Sequence, residues 1–379
     1  MTSPSMKQLI SVKSISLHRV RVPLVEPFRI SNGSVAEKES ILVEIATDDG
    51  PVGWGEASPM SGSFYSSDTP TTVWEDLTTR LIPHLLNAGP IDANQFYKTM
   101  RDVSASPFAK AGIDGALWDA FAQSARVSLN QLLGGFHKRI ASGVAIGIYD
   151  TVDELLERVA RFTSEGYRRV KIKIEPGWDL EPVNAVRARY PQLPLMVDAN
   201  AAYSLDDIEI FRKLDQQNLM MIEQPLAREA HEEASELQRN LSTPLCADES
   251  AESLEALRAI VENKSARIIN IKVQRVGGLS EAKLMLHAAR SAGLDCWVGT
   301  MPELGVASAQ GLHFASLEGF SYPTDIEASR RWFVDDVVEP AIEIDAEGYI
   351  HLPQGPGSGY RVSREKVERY TVSSEKFQK

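Results

Sequence analysis

Five ionisable residues recur at nearly constant spacing along the middle of the chain. Lys173, Asp198, Glu223, Asp248 and Lys272 lie 25, 25, 25 and 24 residues apart. Each stands at the C-terminal end of a short β-branched run. The runs cover 143–148, 169–174, 195–197, 219–222, 245–247, 268–271 and 295–298, and helical patterns over 152–166, 180–190, 205–216, 230–240, 253–263 and 279–293 separate them. Alternating runs of this kind predict βα units and a parallel sheet. A spacing of about 20–50 residues also suits a solenoid, but here the polar residue always falls where a strand gives way to a loop. In a parallel barrel all such ends meet at one mouth, so five charges would face one cavity. The fold class predicted is α/β, a modified TIM barrel.

The barrel does not account for the whole chain. At 379 residues there is material for a second unit. Residues 13–56 alternate in polarity with a turn at Asp48-Asp49-Gly50-Pro51, which predicts a small antiparallel sheet. Residues 71–133 turn helical, and Ala111, Gly112, Ala116 and Ala120 mark a close-packed face beside Leu117, Trp118 and Phe121. Lys+Arg 40 against Asp+Glu 52 gives a net charge of −12, which repels phosphate backbones and anionic leaflets, so neither nucleic acid nor membrane is an expected partner. An anionic ligand must then be held locally, for instance by a metal. No apolar run reaches membrane-spanning length and the first 25 residues lack a signal-peptide core, so a cytoplasmic location is expected. Cys246 and Cys296 sit in apolar stretches and should be buried and reduced.

Asp198, Glu223 and Asp248 on adjacent strands would repel one another in a partly dry cavity and must take up protons or share a cation. An all-oxygen set favours Mg²⁺, with Mn²⁺ as a substitute. Lys173 and Lys272 flank the set, and barrel closure would place them across the cavity from each other. Beside a dication, a desolvated lysine is pushed toward its neutral form and becomes a base. A carboxylate substrate held by the cation has an acidified α-proton, because the charge of the enolate is stabilised. Taken singly, a strand-end Asp or Glu is ordinarily a helix cap or a solvated loop residue. Caps, however, have no reason to keep one register.

The motifs Lys171-Ile172-Lys173, Val197-Asp198-Ala199-Asn200, Ile222-Glu223-Gln224-Pro225, Ala247-Asp248-Glu249-Ser250 and Asn270-Ile271-Lys272 together resemble the enolase superfamily, in its muconate-lactonizing subgroup. Ala116-Leu117-Trp118-Asp119 and Leu132-Leu133-Gly134-Gly135 match as well. The resemblance implies an α+β capping domain over residues 1–135, a (β/α)7β barrel over 136–330, and a segment over 331–379 that completes the cap. It also implies Mg²⁺ and enolate chemistry, a pairing already known for this superfamily. Lys173 and Lys272 become the acid/base pair. Lys171 supports them electrostatically, and Asn200 and Glu249 orient the metal ligands.

Within the subgroup the chain is similar to o-succinylbenzoate synthases, enzymes of menaquinone biosynthesis, and to N-succinyl (N-acyl) amino acid racemases. The similarity rests on Pro27-Phe28-Arg29, Phe64-Tyr65-Ser66, Arg275-Val276-Gly277-Gly278 and the stretch from Pro323 to Ser329. In racemising members the arginine at the place of Arg275 tunes the lysine. Gly299-Thr300-Met301-Pro302-Glu303 stands where Gly-Gly-Met-x-Glu is usual, and Val273-Gln274 where Pro-Gly is common. Thr300 and Pro302 are thus expected to line the substrate end of the mouth, with Met301 and Glu303 expected beside the metal ligands or the substrate. No Asp-x-Asp of the dipeptide epimerases is found near the eighth strand. Muconate-type cycloisomerase and dipeptide epimerase remain as alternatives, and a non-catalytic Mg²⁺-binding barrel as one of another class. A loop over 53–69 carrying Phe64 and Tyr65 is expected to close over a small carboxylate substrate, although its aromatics suit ordinary packing equally. A homo-oligomer is expected. His313 is read as a core residue, and 355–359 as a tail turn.

Overall fold

The computed structural model describes residues 9–31, 33–60 and 66–379. The strands β1 (Val12–Ile30), β2 (Gly33–Thr47) and β3 (Val52–Ala57) form an antiparallel meander in which Ile15 faces Ile45 and Leu17 faces Val43, all four fully buried. The predicted turn closes the second hairpin, with Thr47 N donating to Pro51 O at 3.0 Å. Helix α1 (Pro107–Ala125) lies on this sheet through the predicted small-residue face. A Cβ at Gly53 would stand 2.0 Å from Ala116 O, and one at Gly55 2.0 Å from Gly112 O, so only glycine admits this approach of strand to helix. The last strand, Thr371–Gln378, returns to pair antiparallel with β1.

Among the described residues the second sheet has seven parallel strands, β4 (Val144–Ile146), β5 (Val170–Lys173), β6 (Leu195–Asp198), β7 (Ile222–Glu223), β8 (Leu245–Ala247), β9 (Ile268–Ile271) and β10 (Asp295–Val298), each bonded to its sequence neighbour. They are the seven predicted runs. The helices between them bury one face each. In Val152–Ser164 that face is Leu155, Val159 and Phe162, and Thr151 and Glu154 form a reciprocal cap at its start. The helix expected over 205–216 is instead the α-helix Ile208–Leu214 with a 3₁₀ turn at either end.

The barrel closes without a regular eighth strand. Ser321 N donates to Cys296 O (3.0 Å) and Asp325 N to Val298 O (3.0 Å) on one side, while Gly143 N donates to Thr324 O (2.7 Å) and Thr324 N to Ala141 O (2.9 Å) on the other. Pro323 in the middle has no N–H to give, so a continuous ladder cannot form there. Met196, Met221, Cys246, Ile268 and Trp297 pack together as an apolar cluster inside the sheet. Both cysteines are buried and free. No helix among the described residues is long and apolar enough to cross a membrane.

The glycine-rich stretch 355–359 is a turn, as predicted, and it is tied to the rest of the fold. Gly357 N donates to Val127 O (3.0 Å) and its carbonyl accepts from Leu129 N (2.7 Å), strapping the C-terminal segment to the end of α1.

Candidate active site

Strand register gathers the acidic residues. Lys173 and Asp198 are ladder partners, as are Asp198 and Glu223, and Asp248 follows directly on β8. One carboxylate oxygen from each of Asp198, Glu223 and Asp248 lies within 4.8 Å of the other two, and all three residues are buried. Alternation sends Val170 and Ile172 outward to the helices and leaves Lys171 and Lys173 facing inward.

Each carboxylate has its own cationic or amide partner. Lys173 Nζ donates to Asp198 Oδ2 (2.5 Å) and to Asn200 Oδ1 (2.8 Å). Lys272 Nζ donates to Asp248 Oδ2 (2.8 Å), and Arg275 Nη1 to Asp248 Oδ1 (2.5 Å). The central Glu223 accepts from Lys171 Nζ (3.1 Å) and from Asn270 Nδ2 (2.6 Å). Asn200 also donates through Nδ2 to Glu249 Oε1 (3.0 Å), so it joins Lys173 to Glu249.

Several supporting residues were not singled out from sequence. Gln224 accepts from Asp248 N (2.9 Å) and Ser250 N (3.1 Å) and donates to Ser250 Oγ (2.8 Å), which locks the β7 and β8 loops together. It does so from a left-handed backbone, φ 37°, a conformation that a saturated hydrogen-bond set can hold. Asn270 shares strand parity with Lys272, a signal that could have found it. Asp325 bridges Lys171 to Arg169, whose Nη2 lies 2.7 Å from Asp325 Oδ1 and whose guanidinium stacks on Trp297. It lies in the irregular closing segment, where no strand pattern points to it.

Charge follows this wiring. Burial pushes the Glu223 carboxyl up to about 8, with the Asp198 carboxylate adding to the rise against Lys171. Burial also raises Glu249, to about 7, reinforced by Asp248 and Asp198. For Asp248 the burial penalty is overcome by Arg275 and Lys272, which hold it well below the usual carboxylate range. Burial opposes the Lys171 ammonium, yet Asp325, Glu223 and Asp198 together raise it well above the ordinary lysine value. These three carboxylates favour the ammonium form of Lys171. Three crowded carboxylates, one of them driven toward protonation, suit a hard divalent ion. Asp198, Glu223 and Asp248 would each offer such an ion one oxygen, and the ion would supply the positive charge that lets all three stay ionised.

Lys173, Asn200 and Lys272 line a small cavity of about 50 Å³ together with Phe28, Ile30, Met60, Thr300, Met301 and Pro302. Phe28, Thr300 and Met301 thus share this cavity with Lys173 and Lys272. Arg275 does not reach this cavity but sits behind Asp248. Glu303 is 5% exposed and turns back to accept from Met301 N (3.2 Å), away from the cavity lining. Phe64 and Tyr65 lie outside the described residues.

Comparison with known proteins gives a consistent picture. Residues 13–134 match the family described as mandelate racemase / muconate lactonizing enzyme, N-terminal domain, and residues 154–366 match enolase C-terminal domain-like. The chain is 41% identical to an o-succinylbenzoate synthase of Geobacillus kaustophilus, over 97% of this chain and 98% of that protein. It is 37% identical to an N-succinylamino acid racemase of Amycolatopsis sp, over 96% and 98% respectively. A solved enolase-superfamily structure from Listeria innocua superposes with a TM-score of 0.93 at 32% identity, covering 97% of this chain and 99% of that one.

Proposed function

The chain belongs to the mandelate racemase / muconate lactonizing enzyme family of the enolase superfamily, and from that premise we propose that it abstracts the α-proton of a carboxylate substrate. The enolate then either regains a proton at carbon, the outcome in an N-succinylamino acid racemase, or expels water, the outcome in an o-succinylbenzoate synthase. The supporting observation is that Lys173 and Lys272 open onto one cavity while each is hydrogen-bonded to a different outer carboxylate of the triad. Asp198, Glu223 and Asp248 would hold Mg²⁺, or Mn²⁺ in its place, and the bound dication would stabilise the second charge that develops on the substrate carboxylate.

The two lysines differ in their partners, and this sets their roles, the base acting as the neutral amine and its counterpart, as the ammonium, returning a proton. Lys173 takes the proton from one face of the α-carbon, oriented by Asn200 Oδ1. Lys272 serves the other face, oriented by Asp248. Transfer from one to the other inverts the carbon. Dehydration requires only one lysine, which removes the α-proton and delivers it to the departing hydroxyl, leaving the other to balance charge. The apolar wall excludes water and receives the substrate's remaining arm. A dipeptide's ammonium would need a spare carboxylate near the closing segment, and Asp325 is committed to Lys171 and Arg169, Glu327 to Arg331 and Ala145 N. This favours N-acyl or cyclic carboxylates over dipeptides. The same reading assigns the cap to residues 1–135 and 331–379 and the barrel to 136–330.

The test is solvent exchange in D₂O with Mg²⁺, using N-succinylamino acids of both hands, the dehydration substrate, a muconate and a dipeptide. Deuterium should enter at the α-carbon of an N-succinylamino acid, or water should leave the dehydration substrate. In Lys173→Ala or Lys272→Ala, interconversion should stop while exchange of one enantiomer survives. Metal binding without exchange in any carboxylate would point instead to a non-catalytic barrel.

A further inference from the structure

Three buried ionisable groups between the capping sheet and the barrel mouth take no part in the chemistry above. Lys38 on β2 is 2% exposed, Glu56 on β3 fully buried, and Glu303 follows the loop that lines the substrate cavity. A charge withdrawn from water costs several kcal/mol unless fixed dipoles replace the solvent. Here those dipoles belong to backbone that flanks the cavity. Lys38 Nζ donates to Pro59 O (2.6 Å), one residue before the cavity-lining Met60. Glu303 Oε1 accepts from the amide of Met301, which lines the same cavity from the barrel. Glu56 reaches across the domain boundary: Oε1 accepts from Leu304 N (3.0 Å) and Ser40 Oγ (2.9 Å), and Oε2 from Ala307 N (3.0 Å). The helix Gly305–Ala315 is therefore capped by a side chain of the other domain, and its start fixes the end of the Thr300–Glu303 loop. Farther along, Gln310 Nε2 donates to Trp54 O (2.8 Å), adding a second tie between β3 and the same helix.

We infer that Lys38, Glu56 and Glu303 are positioning residues that form an interdomain latch, setting the gap between Met60 and Met301 and so the size of substrate arm the cavity accepts. The inference rests on the proposed reaction for its substrates and on the hydrogen bonds alone for its geometry. None of the three lines the cavity, so their effect passes through Pro59, Met301 and Leu304. The latch acts on binding, because it moves the walls and leaves Lys173 and Lys272 with their own partners.

Two measurements test it. The first is amide hydrogen exchange of the full chain, read on peptides covering 299–308. In Glu56→Leu, exchange there should quicken by about tenfold or more, since two capped amides lose their acceptor, while peptides from β5 to β7 stay as in the unmodified protein. Glu56→Gln retains one carbonyl oxygen and should recover part of the protection. Unchanged exchange at 299–308 in Glu56→Leu would overturn the latch, whatever the enzyme's substrate. The second uses N-succinyl derivatives of alanine and methionine. In Lys38→Met, KM for the long-armed substrate should rise about tenfold with kcat nearly unchanged, and the short-armed one should be far less affected. Glu303→Gln should behave better than Glu303→Leu, because it still accepts from Met301 N. Equal losses for both substrates, or a fall in kcat at constant KM, would overturn the assignment of these residues to the wall. Should the unmodified enzyme process neither substrate, the reaction proposed above fails, and the exchange measurement still decides the latch.

Discussion

Asn270 donates to Glu223 from a position that Gly299 makes possible. A Cβ at Gly299 would lie 2.0 Å from Asn270 Oδ1, so Gly299→Ala should push the amide away from Glu223. Glu223 would keep its carboxylate but lose its orientation, and Mg²⁺ affinity should fall about tenfold to a hundredfold, the range seen when a ligand's supporting partner is lost. Glu223→Gln removes the charge itself and should weaken Mg²⁺ more. Titration calorimetry ranks the two variants, and equal affinity for all three proteins would remove Asn270 and Glu223 from the metal site. At this scale the sequence was informative where periodicity could reach. Lys173, Asp198, Glu223, Asp248 and Lys272 were visible because each ends a strand in a regular series. Asp325 was invisible because it acts from irregular backbone, and Glu303 was expected beside the metal ligands or the substrate although its carboxylate turns toward Met301 N.

At the scale of elements, the seven strands were legible because β-branched runs alternate with amphipathic helices, whose two periods are easy to tell apart. The closing segment was not, since Pro323 and an interrupted ladder leave no period to detect. The contact between β3 and α1 shows how two elements can depend on single atoms. Gly53 and Gly55 are successive residues of one strand face, and both would meet the backbone of α1 at 2.0 Å if they carried a Cβ. Backbone cannot rotate out of the way as a side chain can, so Gly55→Ala must separate helix from sheet. It should cost several kcal/mol, toward the upper end for overpacking of a core. A Cβ at Gly50 would meet nothing within 4 Å, but the residue adopts φ +106°, so Gly50→Ala should cost only the smaller penalty of a strained turn. Thermal unfolding of the two variants should separate them clearly. A milder loss at Gly55 than at Gly50 would show that the strand and helix can slide apart without penalty.

For the molecule as a whole, the barrel could be read from its repeat, whereas the means by which the chain's end is joined to the rest could not. The tie is local and polar. Ser358 N donates to Asp119 Oδ1 on α1 (2.8 Å), and Ser358 O accepts from His313 Nε2 on the helix Gly305–Ala315 (2.8 Å). Sequence placed His313 in the core, and it is fully buried there. Burial lowers its pKa to about 4, with the Ser358 carbonyl opposing the shift only in part. Asp119 is moved the other way, up to about 6, by burial against the hydrogen bonds from Trp54 N and Ser358 N. The two groups therefore respond to pH with opposite signs. Between about pH 6.5 and 4 the unfolded chain protonates His313 and the folded one does not, so this residue's contribution is complete above pH 6.5 and fades as pH falls. Asp119 holds its proton longer in the folded state, so its contribution is complete below about pH 3.8 and fades as pH rises through 6. Replacing one residue at a time exposes each slope. From pH 7 to pH 4, the stability of the parent relative to His313→Asn should drop by on the order of 3 kcal/mol, the energy of a shift of that size. Relative to Asp119→Asn it should rise over the same interval. Urea unfolding at a series of pH values gives both differences, and parallel curves for parent and His313→Asn would mean that the imidazole meets water in the folded protein, leaving the C-terminal strap without this anchor.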